Sequence, residues 1–291
     1  PLMSPWPPPT IADLSLAFRQ AKTALYFEKR GVGLLELAAY EQELPKNLKA
    51  LQTKLASGRW FDEVELGETW VVPKRLRANQ DADDGVVRIG APRQHAAGRP
   101  IDIQLRLSPH PEFATVEVLY LWRFGGLLDS LLSKTEVLGY RLDLRDQRVV
   151  PHRRWLFEYW PSRYHQFRTA PLDVARSALK LGMQTLIISG DLASFYDTVD
   201  PSFMLGERLV AELQARGAQE TDVDEYKRAT ASLLRAYERF HAEASRRAAT
   251  PIDIGVPTGA LTSRVLGSLA VAPLGSPHAP PSVHLKEAFR P

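Results

Sequence analysis

The chain has 291 residues, enough for one large core or two modest ones, and its 44% hydrophobic and 24% charged residues are ordinary for a globular protein. A net charge of +3 with pI ≈ 9.1 permits a polyanionic partner without demanding one. Absence of cysteine excludes disulfides and thiolate metal sites, and no apolar run approaches the roughly 20 residues of a membrane helix.

The N-terminal stretch PLMSPWPPPT lacks the charged-then-apolar order of a signal peptide, so the expectation is a cytoplasmic protein with no membrane partner. Residues 1–9 read as a Pro-rich irregular arm. Thr10 and Asp13 have capping-box spacing, and Leu14, Ala17, Phe18, Ala21 and Leu25 form one helical stripe after them. A second helix is predicted from Pro45, with Leu44, Leu48, Leu51 and Leu55 on one face and Gly58 as its stop. TWVVPKRLR (69–77) and VVRIG (86–90) read as strands around the polar turn NQDADDG. PIDIQLRL (100–107) alternates with period two, one face wet.

Residues 111–133 read as a helix bent at Gly125-Gly126, and LGYRLDL (138–144) as a strand. The stretch 148–168 crowds arginines among aromatics, and 171–180 is predicted helical. TLIIS (185–189) reads as a buried strand running into Asp191. A long helix is predicted from Thr221, with Thr221 and Asp224 in capping-box spacing. GVPTGA (255–260) is a turn, residues 261–274 an apolar helix, and the tail is aperiodic and expected to be disordered.

A carboxylate just past a central strand sits at the rim of a sheet, where α/β folds bind ligands; such an aspartate equally serves as a turn residue or helix N-cap. The local pattern narrows this. Asp191, Phe195, Tyr196 and Asp197 fit D-x-x-x-F-[FY]-D, which is similar to motif A of reverse transcriptases. GVPTGALTS (255–263), followed by a helix, resembles motif B, G-[LIV]-P-x-G-x-x-x-S, with a helix between the two motifs. Thr258 departs from the glutamine common in retroviral and intron-encoded enzymes. The Ser263-Arg264 pair resembles the bacterial abortive-infection and "unknown group" members, many of them antiphage defence proteins.

The resemblance covers roughly residues 14–274 and implies an RNA-directed DNA polymerase domain of α/β (α+β) class, right-hand fingers with a partial palm and no thumb. It divides the chain into a Pro-rich arm (1–13), a helical region (14–68), fingers and fingers–palm junction (69–180), partial palm (181–274) and tail (275–291). It implies that Asp191, with the carbonyl of Leu192, binds two Mg²⁺ ions roughly 4 Å apart. Tyr196 becomes the aromatic gate against a ribose 2′-hydroxyl, and Gly255, Pro257, Gly259 and Ser263 line the nucleotide. Lys74, Arg75 and Arg99 are candidates to hold the triphosphate, although any cation on a wet strand face looks the same. The implied partners are RNA template, DNA product and dNTPs.

Arg153, Arg154, Arg163 and Arg168 interleave with aromatics, as in a single-strand platform. Aromatics packing a fingers–palm junction beneath surface arginines produce the same pattern. NQDADDG fits neither a calcium loop, since Gly85 is one place late, nor the aromatic-x-D-D motif, which belongs after motif B. No aromatic-x-D-D follows Leu274 in this sequence. One metal carboxylate does not hold two ions, so the chain alone is expected to be inactive, its second carboxylate coming from a lost C-terminal region or a partner chain. The rival expectations are an inactive nucleic-acid-binding fragment and an unrelated α/β scaffold whose motif matches are chance.

Overall fold

A computed structural model describes residues 8–28, 32–76, 101–133, 137–186, 195–248 and 251–272. The described chain is of α+β class, mostly helical with short antiparallel strand pairs. Arg99 and the NQDADDG turn lie outside the described residues, as do the 86–90 strand and the tail (275–291).

The helix starting at Thr10 forms as its cap predicts. α1 (Ile11–Glu28) begins where the Asp13 carboxylate accepts from the Thr10 amide (2.9 Å) and the Asp13 amide donates to Thr10 Oγ1 (3.1 Å). Leu14, Ala17, Phe18, Ala21 and Leu25 are buried on its inner face. Pro9 is tied down, its carbonyl accepting from Gln52 Nε2 at 2.9 Å, so the arm ends against the body rather than in solvent. A helix not anticipated from the pattern, α2 (Val32–Gln42), precedes α3 (Leu44–Leu55), which buries Leu48, Leu51 and Leu55. β1 (Gly67–Leu76) pairs antiparallel with β2 (Ile101–Pro109), Thr69 opposite Leu107 and Val71 opposite Leu105.

α4 (Pro111–Ser130) is the centre of the molecule, buried on all sides through most of its length. The helix runs unbroken through Gly125 and Gly126. A Cβ on Gly126 would lie 1.9 Å from the Gln147 carbonyl oxygen, so the glycine lets a neighbouring segment press against the helix. That segment contains the two-residue pair β3 (Leu144–Arg145) and β4 (Arg148–Val149). The strand expected over 138–144 is reduced to this pair and a bridge between Leu142 and Phe157.

α5 (Trp160–Lys180) starts eleven residues earlier than the sequence pattern suggests and runs through Pro171. Residues 187–194, which hold most of TLIIS and Asp191 with Leu192, lie outside the described residues; Thr185 and Leu186 are exposed and belong to no strand. Beyond them come α6 (Phe195–Thr198), a 3₁₀ turn capped by Asp200, and α7 (Glu207–Ala215).

α8 (Glu220–Ala248) buries Tyr226, Leu233, Tyr237, Phe240 and Ala244 as its period predicts. Its expected Thr221/Asp224 box is replaced two residues earlier, where Asp222 accepts from the Gln219 amide at 3.3 Å. α9 (Leu261–Val271) closes the core against α4. Aromatic rings knit these elements together: Tyr120 to Phe124 at 5.1 Å and Phe124 to Tyr226 at 5.5 Å.

Candidate functional site

Two motif-bearing segments that are distant in sequence meet directly. The Val256 amide donates to the Tyr196 carbonyl at 2.7 Å, joining the 255–260 turn to α6. Gly255 has φ +112, and a Cβ there would stand 2.9 Å from the Tyr196 carbonyl oxygen and 3.1 Å from Asp197 Cα. Only glycine meets both conditions. On the other side of the turn, the Leu107 amide donates to the Thr258 carbonyl at 2.8 Å. Gly259 (φ +114) would place a Cβ 2.1 Å from the Leu107 carbonyl oxygen. The turn is thus clamped between α6 and β2, and Gln104, expected on a wet strand face, reaches Thr258 Oγ1 at 3.4 Å.

The remaining sequence-derived candidates distribute as follows. Tyr196 is half-buried, its ring in a T-shaped contact with Phe195 at 5.2 Å and against the face of α9 at Gly267, where a Cβ would come within 3.3 Å of the ring. Pro257 is buried and its carbonyl accepts from the Ala260 amide at 3.2 Å. Ser263 is buried in the first turn of α9, 3.2 Å from the Tyr237 hydroxyl. Lys74 and Arg75 lie in β1, with Arg75 opposite Asp102; their side chains, like Asp191, Leu192 and Arg99, are outside the described residues.

Of the four arginines assigned to nucleic acid, two are engaged by carboxylates: Arg153 by Asp143 (2.6 Å to Oδ2) and Arg163 by Glu158. Arg154 lies over the Trp155 ring at 5.3 Å, and Arg168 is exposed on α5. Two histidines hold the fold. His110 caps α4, and His241 Nε2 lies 3.0 Å from the Gly255 carbonyl oxygen, holding the turn from behind.

Sequence reasoning passed over Glu117 and Arg141 and gave Arg264 no role. Glu117 stands in the apolar run FATVEVLYL, a position whose charge is itself a signal of a buried network. Its Oε1 accepts from the Thr262 amide (2.8 Å) and hydroxyl (2.5 Å), fixing the start of α9. Burial pushes its carboxyl up to about 7. Arg141 is buried in a two-pronged bond to Asp129 (Nε–Oδ1 2.9 Å, Nη2–Oδ2 2.7 Å). Arg264, next to Ser263, lies 5.3 Å from the ring centres of both Tyr140 and Phe157.

These last two arginines flank a groove of ≈ 770 Å³. Its walls are α1, the 138–141 loop and the 155–160 segment, and the first half of α5, and its lining includes Tyr140, Trp155, Phe157, Trp160, Tyr164 and Phe167. A smaller basic hollow of ≈ 460 Å³ shares Thr23 with it and is bordered by Arg19, Lys22, His152 and Arg154.

Among the described residues no group of three or more His, Asp and Glu side chains could hold a metal ion. The magnesium pair implied by the resemblance therefore has no donor set there. No helix among the described residues is long and apolar enough to cross a membrane. Comparison of the chain with family models, with curated proteins and with solved structures found no match.

Proposed function

We propose that the chain is the fingers and partial palm of an RNA-directed DNA polymerase of the reverse-transcriptase type, of the kind used in bacterial antiphage defence, which receives a deoxynucleoside triphosphate beside the 255–260 turn. The observation that carries this reading is the bond from Val256 to Tyr196, with Gly255 and Gly267 both giving way to α6. Two patterns matched independently in the sequence are thereby neighbours, as a shared nucleotide site requires, whereas chance matches have no reason to meet. Tyr196 is the side chain at the junction, and in this reading its ring bars a ribose 2′-hydroxyl, while Asp191 is the magnesium ligand.

The test is equilibrium binding of dATP and ATP to the chain with and without Mg²⁺. Magnesium-dependent dATP binding is expected, weakened about tenfold or more by Asp191→Asn, about 1.4 kcal/mol. Tyr196→Ala is expected to narrow the preference for dATP over ATP. Binding indifferent to Asp191→Asn overturns the reading.

A second reading, a nucleic-acid-binding module without polymerase activity, is favoured by one observation. Residues 145–180 contain eight Arg and Lys against three Asp and Glu, while the whole chain nets only +3. Salt-sensitive oligonucleotide binding that Arg154→Ala weakens, with no dATP binding, selects it.

A further inference from the structure

α5 is 21 residues long, yet among the described residues Ala175 is the one side chain it buries. Along its free face Trp160, Tyr164, Phe167, Val174, Ala178 and Leu181 recur at steps of four and three, with Pro171 filling the remaining place in the series. Trp160 is 63%, Val174 68% and Leu181 77% exposed. A stripe repeating every 3.5 residues over three heptads is the seam that a second helix covers, because that spacing keeps the same side chains facing a partner helix turn after turn.

Which partner covers it follows from shape and charge. The first half of the stripe is one wall of the ≈ 770 Å³ groove, a concavity that a flat lipid surface does not fill but a helix about 10 Å across does. The second half offers Val174, Ala178 and Leu181, which have no ring for a nucleobase to stack on. Arg163 and Arg168 stand beside the stripe and Arg176 and Lys180 farther round the helix, against a single acid on it, Asp173, so two parallel copies laid face to face would oppose like charges.

We propose that α5 is a docking helix for an acidic amphipathic helix of a partner protein, seated along the Trp160–Leu181 stripe with its acidic residues against Arg163 and Arg168. This inference rests on neither functional reading above.

The test uses a labelled synthetic helix with leucine at its a and d positions and glutamate at e and g, titrated with the full chain. A twin carrying lysine at e and g is the control. The acidic peptide is expected to bind at least about tenfold more tightly than its twin and to weaken as salt rises past about 0.1 M. A double variant, Val174→Asp with Leu181→Asp, is expected to weaken it about tenfold or more. Both positions are exposed, so the variant's fold is checked by its unchanged melting curve.

Equal affinity for the two peptides, no binding of the acidic one, or full binding by the double variant overturns the proposal. So does a different occupant on this face. That would be a dimer, a dT oligonucleotide or a phosphatidylserine-containing vesicle held by the native chain and released by the double variant.

Discussion

Glu117 sits inside α4 with one carboxylate oxygen bonded to the start of α9 and the other, Oε2, without a hydrogen-bond partner. Arg264, Thr262 and Tyr237 face it, and the Tyr237 hydroxyl is itself pushed well up, chiefly by burial. In the folded protein the carboxyl holds its proton up to about pH 7, against 4.5 for a free glutamate side chain. The unfolded chain therefore releases this proton at lower pH than the folded one. The contribution to stability is full below pH 4.5 and is lost as the pH rises through about 7. The difference amounts to about 3 kcal/mol. Glu117→Gln removes the ionisation while keeping an acceptor for Thr262. Urea titrations between about pH 5 and 8 are expected to show a falling stability for the native chain and a much flatter one for the variant; parallel slopes would show that Glu117 does not titrate there.

Among the elements, the loop after α4 illustrates how a polar lock shapes an apolar groove. Arg141 is held by Asp129, by the Ser133 carbonyl at 3.0 Å and by the Asp129 carbonyl at 3.3 Å, while the Leu142 amide donates to Asp129 Oδ1 at 3.3 Å. The pair fixes the 138–141 loop, whose Tyr140 ring lies 5.3 Å from Arg264. Asp129→Ala strands a buried guanidinium, and its cost is expected at about 3–5 kcal/mol in denaturant unfolding. A loss below about 1 kcal/mol would mean that water reaches Arg141.

Neither partner of this lock was legible in the sequence, since nothing local ties position 129 to 141. Helices with an amphipathic stripe were legible: α1 and α8 bury the side chains their periods single out, and α3 buries all of its stripe but Leu44, which is partly buried. α5 was half-read because Pro161 and Pro171 resemble punctuation. Pro161 in fact occupies the first turn, where its missing amide costs nothing, and Pro171 gives up one donor inside a mostly exposed helix. The strand expected over 138–144 failed for another reason: its apolar residues are drawn into the core one by one by α4 and Phe157, not as a paired ladder.

For the molecule as a whole, no local pattern ties α6 to the 255–260 turn; in the sequence only the resemblance led one to expect the two segments side by side. The clamping of that turn by Leu107 and His241 was not legible either, since those bonds depend on backbone positions that no side-chain pattern reports. The central placement of α4 has a consequence in time. Its neighbours α8 and α9 lie on the C-terminal side of the chain, and α9 ends only at Val271. At roughly 5–20 residues per second, the ribosome leaves this apolar helix half-covered for on the order of ten seconds after making it. Nascent chains stalled before α8 are accordingly expected to be cleaved by protease within α4, and chains released after Val271 to resist. Equal resistance of both would show that α1 alone shelters it. A helix this apolar is thus a hazard during synthesis as well as the frame of the finished protein, and the cell must bridge the interval with a chaperone or with speed.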